Sequence, residues 1–277
     1  MVIDEYVQAR PAAALAPFVA AYSGYRQRGV APMRHLGLPS PYLTMILTMD
    51  EPLVMAAHPD PRQRPGHYDS LVGGLHLTPA VITHDGRQSG VQVALRPLGC
   101  RALLGVPAAE LAGLDVDATA LLGETVVAGI RERLCGAADW PSRFAVLDDA
   151  LRARLTDRPV RPEITYAYHR VILGAPIRAV AAEVGWSDTY LTTRFRAEVG
   201  LRPKETARVA RFDRARRALR PGTPIAEVAA GHGYADQSHL VREFRALAGC
   251  TPSEWLADQF DFVQAARLEP AHDGRHD

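Results

Sequence analysis

Between Pro176 and Glu254 the chain writes one pattern twice. Pro176, Ile177, Val180, Ala181 and Gly185 recur 48 positions later as Pro224, Ile225, Val228, Ala229 and Gly233. Beyond those glycines the offset is 49, and Phe195, Arg196, Gly200, Pro203 and Glu205 return as Phe244, Arg245, Gly249, Pro252 and Glu254. A duplication in register limits this stretch to two copies of one supersecondary unit. In each copy a short amphipathic helix, a glycine turn and a second amphipathic helix follow one another, which is the layout of a helix-turn-helix.

In the first copy Ile177, Val180, Ala181 and Val184 fall on one stripe of a supporting helix. Gly185 suits the left-handed conformation that ends it, and Ser187 can cap the next helix. There Leu191, Phe195 and Val199 face inward, leaving Thr189, Thr192, Thr193 and Arg196 outside. In the second copy Thr223 can cap, and Pro224 suits the first helical position. Leu240, Phe244 and Ala248 anchor its second helix, leaving Gln237, Ser238, Val241, Arg242 and Arg245 outside. Glutamine can bond adenine bidentately, arginine can do so with guanine, and valine methyls can touch a thymine methyl. Gly249 ends that helix, and Thr251-Pro252-Ser253-Glu254 reads as a capping box. Pro203–Leu219 reads as one continuous helix carrying Arg208, Arg211, Arg214, Arg216 and Arg217. It would hold the two units at a fixed separation. Two helices entering major grooves on one face of DNA must stand roughly 34 Å apart.

The formal net charge of +1 becomes informative once divided. Residues 1–160 hold 15 basic and 16 acidic side chains, whereas 161–250 hold 15 and 9, a net of +6. Residues 251–277 hold 2 and 6. The excess positive charge therefore sits on the duplicated segment, as phosphate contacts require.

Ahead of the duplication the chain has β character. Pro41–Met49 and Leu53–Ala57 read as strands around an Asp50-Glu51-Pro52 turn, and Pro59–Gly66 reads as a loop. More sheet is expected from Leu71 to Leu95, including a hairpin in which Val81–His84 turns at Asp85-Gly86 and returns through Val91–Leu95. From Leu98 the periodicity becomes helical, with helices expected over Ala118–Leu134 and Pro141–Leu155. Thr156–Pro162, with two prolines and three charges, is the expected linker. The fold class is thus α+β: a strand-rich N-terminal domain with helices, then an all-α C-terminal domain with two helix-turn-helix units joined by a long helix. The expected divisions are 1–157, 163–260 and a disordered tail at 265–277.

Residues 165–256 resemble the DNA-binding domain of the AraC/XylS family of transcription regulators, most specifically over Gly233–Trp255 (GYADQSHLVREFRALAGCTPSEW). The resemblance implies seven helices and double-stranded promoter DNA as partner. It also implies base-facing roles for Thr189, Thr192 and Thr193 in the first unit, and for Gln237, Ser238, His239 and Arg242 in the second. Arg196 and Arg245 join this set as base or phosphate contacts, with Arg242 the first candidate for specificity. Ala235 stands where the family often has a capping serine, so Asp236 is expected to cap instead. The first unit, faced with threonines, is expected to read bases weakly and mainly to fix register. A strand-rich domain ahead of this module resembles the family's sensing or dimerising half, often a cupin-like small barrel. A small-molecule effector, a second copy of the chain, and RNA polymerase in the case of an activator are the further partners it implies.

Other chemistries find little footing. His35, His58, His67, His76 and His84 include no HxH pair and no carboxylate at a suitable short spacing, so no metal and no cofactor are expected. Arg34, His35, Tyr42, Arg96 and Trp140 are candidate lining for an effector pocket, but nothing in the sequence makes them converge. Cys100, Cys135 and Cys250 form no CxxC pair, and no nucleophile–base motif is present, so no catalytic residues are expected. With no apolar run of spanning length and no basic leader, the sequence reads as cytoplasmic, with no membrane partner.

Overall fold

The computed structural model describes residues 2–263. Its first part is two antiparallel sheets packed face to face. A six-stranded sheet runs in the order β1 (Ile3–Ala9), β2 (Val19–Arg28), β9 (Arg87–Leu95), β4 (Leu43–Thr48), β7 (Ser70–Gly73) and β10 (Asp115–Val116). A four-stranded sheet runs β3 (Met33–Gly37), β8 (Ala80–His84), β5 (Leu53–Ala57) and β6 (Gly66–Tyr68).

The two faces of the large sheet differ in chemistry. Successive side chains of a strand point to opposite faces, so Tyr22, Leu43, Met45, Leu47, Val91, Val93 and Leu95 share one face and are fully buried. They pack against α1 (Cys100–Leu104), α2 (Thr119–Leu122), α3 (Glu124–Gly136) and α4 (Trp140–Arg154). Tyr22 stacks on Phe144 at 5.9 Å and donates its hydroxyl to Asp148 at 2.8 Å. Gly24 leaves the space that the Trp140 ring fills. The other face, toward the small sheet, has a much smaller apolar cluster: Ile46 and Leu71 meet Leu53, Met55, Ala80 and Ile82. Ser23, Tyr25, Thr44, Gln92 and Ala94 on that face are only half-buried.

Several expectations change here. β8 and β9 are not a hairpin. β8 pairs with β3 and β5 in the small sheet, while β9 pairs with β2 and β4 in the large one. Asp85-Gly86, with Gly86 at φ 101°, carries the chain between layers. A turn signal fixes a reversal but does not choose a strand's partner. The helix expected over Ala118–Leu134 is broken at Gly123 (φ 87°) into α2 and α3. Strands β1, β2, β3, β6 and β10 lie outside the expected strands, β10 within the stretch expected to be helical; in β2 a bulge between Val19 and Ala21 interrupts the alternation that marks a strand.

Of the expected linker Thr156–Pro162, residues 156–161 have no regular structure and are pinned, while Pro162 opens the next helix. Thr156 donates both its N–H and its hydroxyl to the Ala102 carbonyl, and Arg158 bonds that of Gly105 at 3.0 Å. Seven helices follow among the described residues: α5 (Pro162–Ile172), α6 (Ile177–Glu183), α7 (Asp188–Val199), α8 (Pro203–Ala218), α9 (Ile225–Gly231), α10 (Gln237–Ala248) and α11 (Pro252–Val263). The tail expected at 265–277 lies outside the described residues. One continuous apolar core joins the strand-rich and helical parts. At their boundary the Tyr168 hydroxyl donates to the Pro41 carbonyl at 3.2 Å, and Arg101 meets Glu198 at 2.7 Å.

Candidate nucleic-acid interface

Each helix-turn-helix is built as its sequence dictates. In the first, Val180 and Ala181 on α6 and Leu191, Phe195 and Val199 on α7 are buried to 1% or less. Gly185 turns the chain at φ 72°, and the Ser187 hydroxyl accepts the Tyr190 N–H at 3.2 Å. In the second, Val228 and Ala229 on α9 pack against Leu240, Phe244, Leu247 and Ala248 on α10. Gly233 turns at φ 77°, and Asp236 caps α10 by accepting the His239 N–H at 2.6 Å. Ser187 and Asp236 are equivalent at the 49-residue offset, so the cap is kept while its chemistry changes. Thr251 and Glu254 form the expected capping box, at 2.6 and 3.1 Å.

Thr223 and Pro224 depart from expectation. α9 begins at Ile225, with Pro224 itself in the cap position and no side-chain cap bond, and the Pro224 carbonyl accepts the Val228 N–H. The first unit starts in the same way at Pro176. Proline's fixed φ serves the entry to the helix equally well one position earlier.

The outward faces carry the anticipated residues. On α7, Thr189, Thr193 and Arg196 are exposed and Thr192 is half-buried. Thr193 also donates its hydroxyl to the Thr189 carbonyl at 2.9 Å, so part of its hydrogen-bonding capacity is spent within its own helix. On α10, Gln237, Ser238, Arg242 and Arg245 are exposed. His239 is held instead: its ring lies edge-on to Tyr234 at 5.2 Å, and its Nδ1 accepts the Ala235 N–H at 3.3 Å. Among the described residues, Arg196 and Arg242 have neither an ion pair nor a hydrogen bond from the side chain.

The arginines of α8 are not a free cationic surface. Arg208 donates to Glu243 at 3.1 Å, and Arg211 grips both oxygens of the same buried carboxylate, its Nη2 at 2.7 and 2.9 Å. The Arg211 guanidinium also stacks over Tyr234 at 4.8 Å. Arg216 and Arg217 both bond Asp213, and Arg214 bonds the Ile172 carbonyl. Charge counting cannot separate these struts from phosphate contacts, because both uses raise the local arginine content. Tyr190 and Arg194 on α7 are also exposed, and no motif in the sequence singles them out. Tyr190 is 40% exposed, edge-on to Trp186 at 4.9 Å, and beneath the Arg194 guanidinium at 5.2 Å.

Residues 180–258 match the helix-turn-helix domain family, and residues 7–117 match a domain of unknown function (DUF6597). The fold is similar to that of ToxT from Vibrio cholerae, at 10% identity over 86% of this chain and 97% of that one, with a TM-score of 0.50. The chain carries an AraC-type helix-turn-helix domain. A transcriptional regulator with an AraC-type DNA-binding domain from Chromobacterium violaceum overlaps the helical part, at 22% identity over 39% of this chain and 96% of that one, with a TM-score of 0.32. No curated protein matches. The protein is a DNA-binding transcription regulator, with a strand-rich N-terminal part and an AraC-type helical part.

The effector-pocket candidates do not converge. Arg34 is exposed, Trp140 lies on the helix-covered face of the large sheet, and Arg96 stacks on Tyr42 at 6.0 Å near the helical part. His35 alone turns to the interior between the sheets, where it meets His84 at 6.2 Å. His35 Nδ1 and His84 Nε2 are buried with no hydrogen-bond partner. Burial, reinforced by His84, pushes the His35 pKa down to about 4. Burial also lowers that of His84. Among the described residues no three His, Cys, Asp or Glu side chains gather as a metal ion would require, and no helix is long and apolar enough to cross a membrane.

Proposed function

We propose that α7 and α10 read duplex DNA sequence-specifically, with unequal weight. Arg242 carries this reading: it is an exposed cation on the outer face of α10 with no partner among the described residues, available to a guanine edge. Its equivalent in α7 at the 49-residue offset is Thr193, already bonded to its own helix. Gln237 and Ser238 flank Arg242 as base-edge candidates, while Arg245 and Arg196 serve phosphates. His239 organises the turn. Thr189 and Thr192, with Thr193, mainly fix register. Replacing Arg242 with alanine is expected to cost about 1–3 kcal/mol and to relax preference at one base position. Binding and specificity that match the unmodified protein would remove Arg242 from the readout.

We assign sensing or dimerisation to residues 1–157 and DNA binding to 163–260, divided at the pinned linker. The space between the two sheets supports sensing. There two buried imidazole nitrogens lack partners, and the facing residues Ser23, Tyr25, Thr44 and Gln92 are polar and half-buried. Buried polar groups without partners are costly in a folded protein, and a bound small molecule with hydrogen-bonding groups would satisfy them. Isothermal titration with small-molecule libraries tests this, and a His35→Phe variant should lose any binding found.

A further inference from the structure

Both outer helices end on a left-handed glycine, and both glycines meet the strand-rich part. Gly200 closes α7 at φ 93°, so near residues 108–112 that a Cβ there would stand 2.8 Å from Ala112 Cβ and 3.1 Å from Ala109 Cα. Gly249 closes α10 at φ 74°, its Cβ direction 3.8 Å from Pro79 Cγ.

The two grips differ in strength. Pro79 makes ordinary van der Waals contact. α7 has in addition an ion pair: Arg101 Nε donates to both oxygens of Glu198, at 2.7 and 3.0 Å, and the Glu198 side chain is only 13% exposed. Glu198 lies in the last turn of α7, where the helix dipole disfavours an acid. An acid there makes sense only with its cation opposite. The equivalent position on α10 is Leu247, fully buried and uncharged. α10 is anchored from the other side, through Glu243 to Arg208 and Arg211 of α8. Each outer helix therefore has its own anchor, α10 on the connecting helix and α7 on the strand-rich part.

We propose that Arg101, with the Ala108–Ala112 floor, is a positioning element for DNA reading. It fixes where α7 stands relative to α10, and so how many base pairs the protein accepts between its two contacted segments. The proposal rests on α7 and α10 being the two DNA-reading helices. Each added base pair moves a groove by about 3.4 Å and turns it by roughly 34°, so small displacements of α7 alter the spacing that fits.

The test selects binding sites for the full-length protein from random duplexes. It then measures affinity for the best site with one or two base pairs inserted or removed between the protected segments. The unmodified protein is expected to favour its best spacing by about tenfold, within the range usual for coupled sites. Arg101→Ala and Glu198→Ala should each reduce that preference to about threefold or less, with a smaller loss of affinity at the best spacing. The double variant Arg101→Glu/Glu198→Arg should restore it, and Arg101→Lys should lie between. An unchanged spacing preference in both single variants, or no recovery in the double, overturns the positioning role. A single protected segment in the unmodified protein would instead overturn the two-helix reading itself. Circular dichroism separates loss of fold from loss of position, and Arg101→Lys keeps the cation should Arg101→Ala fail to fold.

Discussion

Glu243→Ala should destabilise the helical part far more than loss of an ordinary surface acid. The carboxylate is 7% exposed and accepts from two arginines of α8, Arg208 through Nε and Arg211 through Nε and Nη2. Breaking a fully buried ion pair costs about 3–5 kcal/mol, because the abandoned charge stays buried. Here the abandoned charges can partly rehydrate, since the Arg208 and Arg211 side chains are 33% and 29% exposed. Arg211 also keeps its stacking on Tyr234. The expected loss is therefore about 2–3 kcal/mol, below the fully buried case and above the ~0–1 kcal/mol of exposed pairs. Urea unfolding followed by circular dichroism measures it, provided the slope with denaturant is unchanged. Glu243→Gln keeps an acceptor without the charge and should lose less. A loss under about 0.5 kcal/mol for Glu243→Ala would show an incidental surface contact and refute the strut. The same reasoning predicts that Arg208→Ala lowers stability while leaving the salt dependence of DNA binding unchanged, since a cation not on a phosphate releases no counterion.

Other consequences are equally direct. Asp236→Ala removes the cap of α10 and should cost about 1 kcal/mol, with Ser187→Ala similar on α7, both read by thermal unfolding. Gly24→Ala drives a methyl into the Trp140 ring and should cost about 1–3 kcal/mol, unless α4 shifts, which tryptophan fluorescence would report. His35 is neutral when folded, with its pKa pushed down to about 4, while the unfolded chain takes up its proton near about 6.5. Between those values the unfolded state binds more protons, so stability is intact above about pH 6.5 and falls as the pH drops toward 4. His35→Phe should flatten part of that decline in a series of melting temperatures, leaving the share due to His84. An unchanged pH profile would place His35 in water.

The helical part was legible because its determinants are local. Gly185, Gly233 and Gly249 turn the chain where the sequence places them, and Ser187, Asp236 and the Thr251–Glu254 pair cap where their side chains can reach. The strand-rich part was legible only in outline. β4, β5 and the loop after β5 follow from their residues, but sheet membership is a long-range choice. Asp85-Gly86 has the local chemistry of a hairpin turn whether its strands pair with each other or, as here, with β3, β5, β2 and β4. The candidate interface shows the same division. Exposure of Thr189, Thr193, Arg196, Gln237, Ser238, Arg242 and Arg245 follows from helical periodicity. That the α8 arginines are bound to Glu243 and Asp213 follows only from the packing of one helix on another.

On the proposed reading the duplicated units divide their labour, α10 specifying sequence and α7 fixing register. Deep sequencing of sites selected by the full-length protein from random duplexes tests it most directly. Two contacted segments about one helical turn apart are expected, with most base preference in one of them. In an Arg242→Ala selection, preference at one position of that segment should disappear and the weaker segment should be unchanged. Two segments of equal information, or a strong segment that survives Arg242→Ala intact, would contradict it.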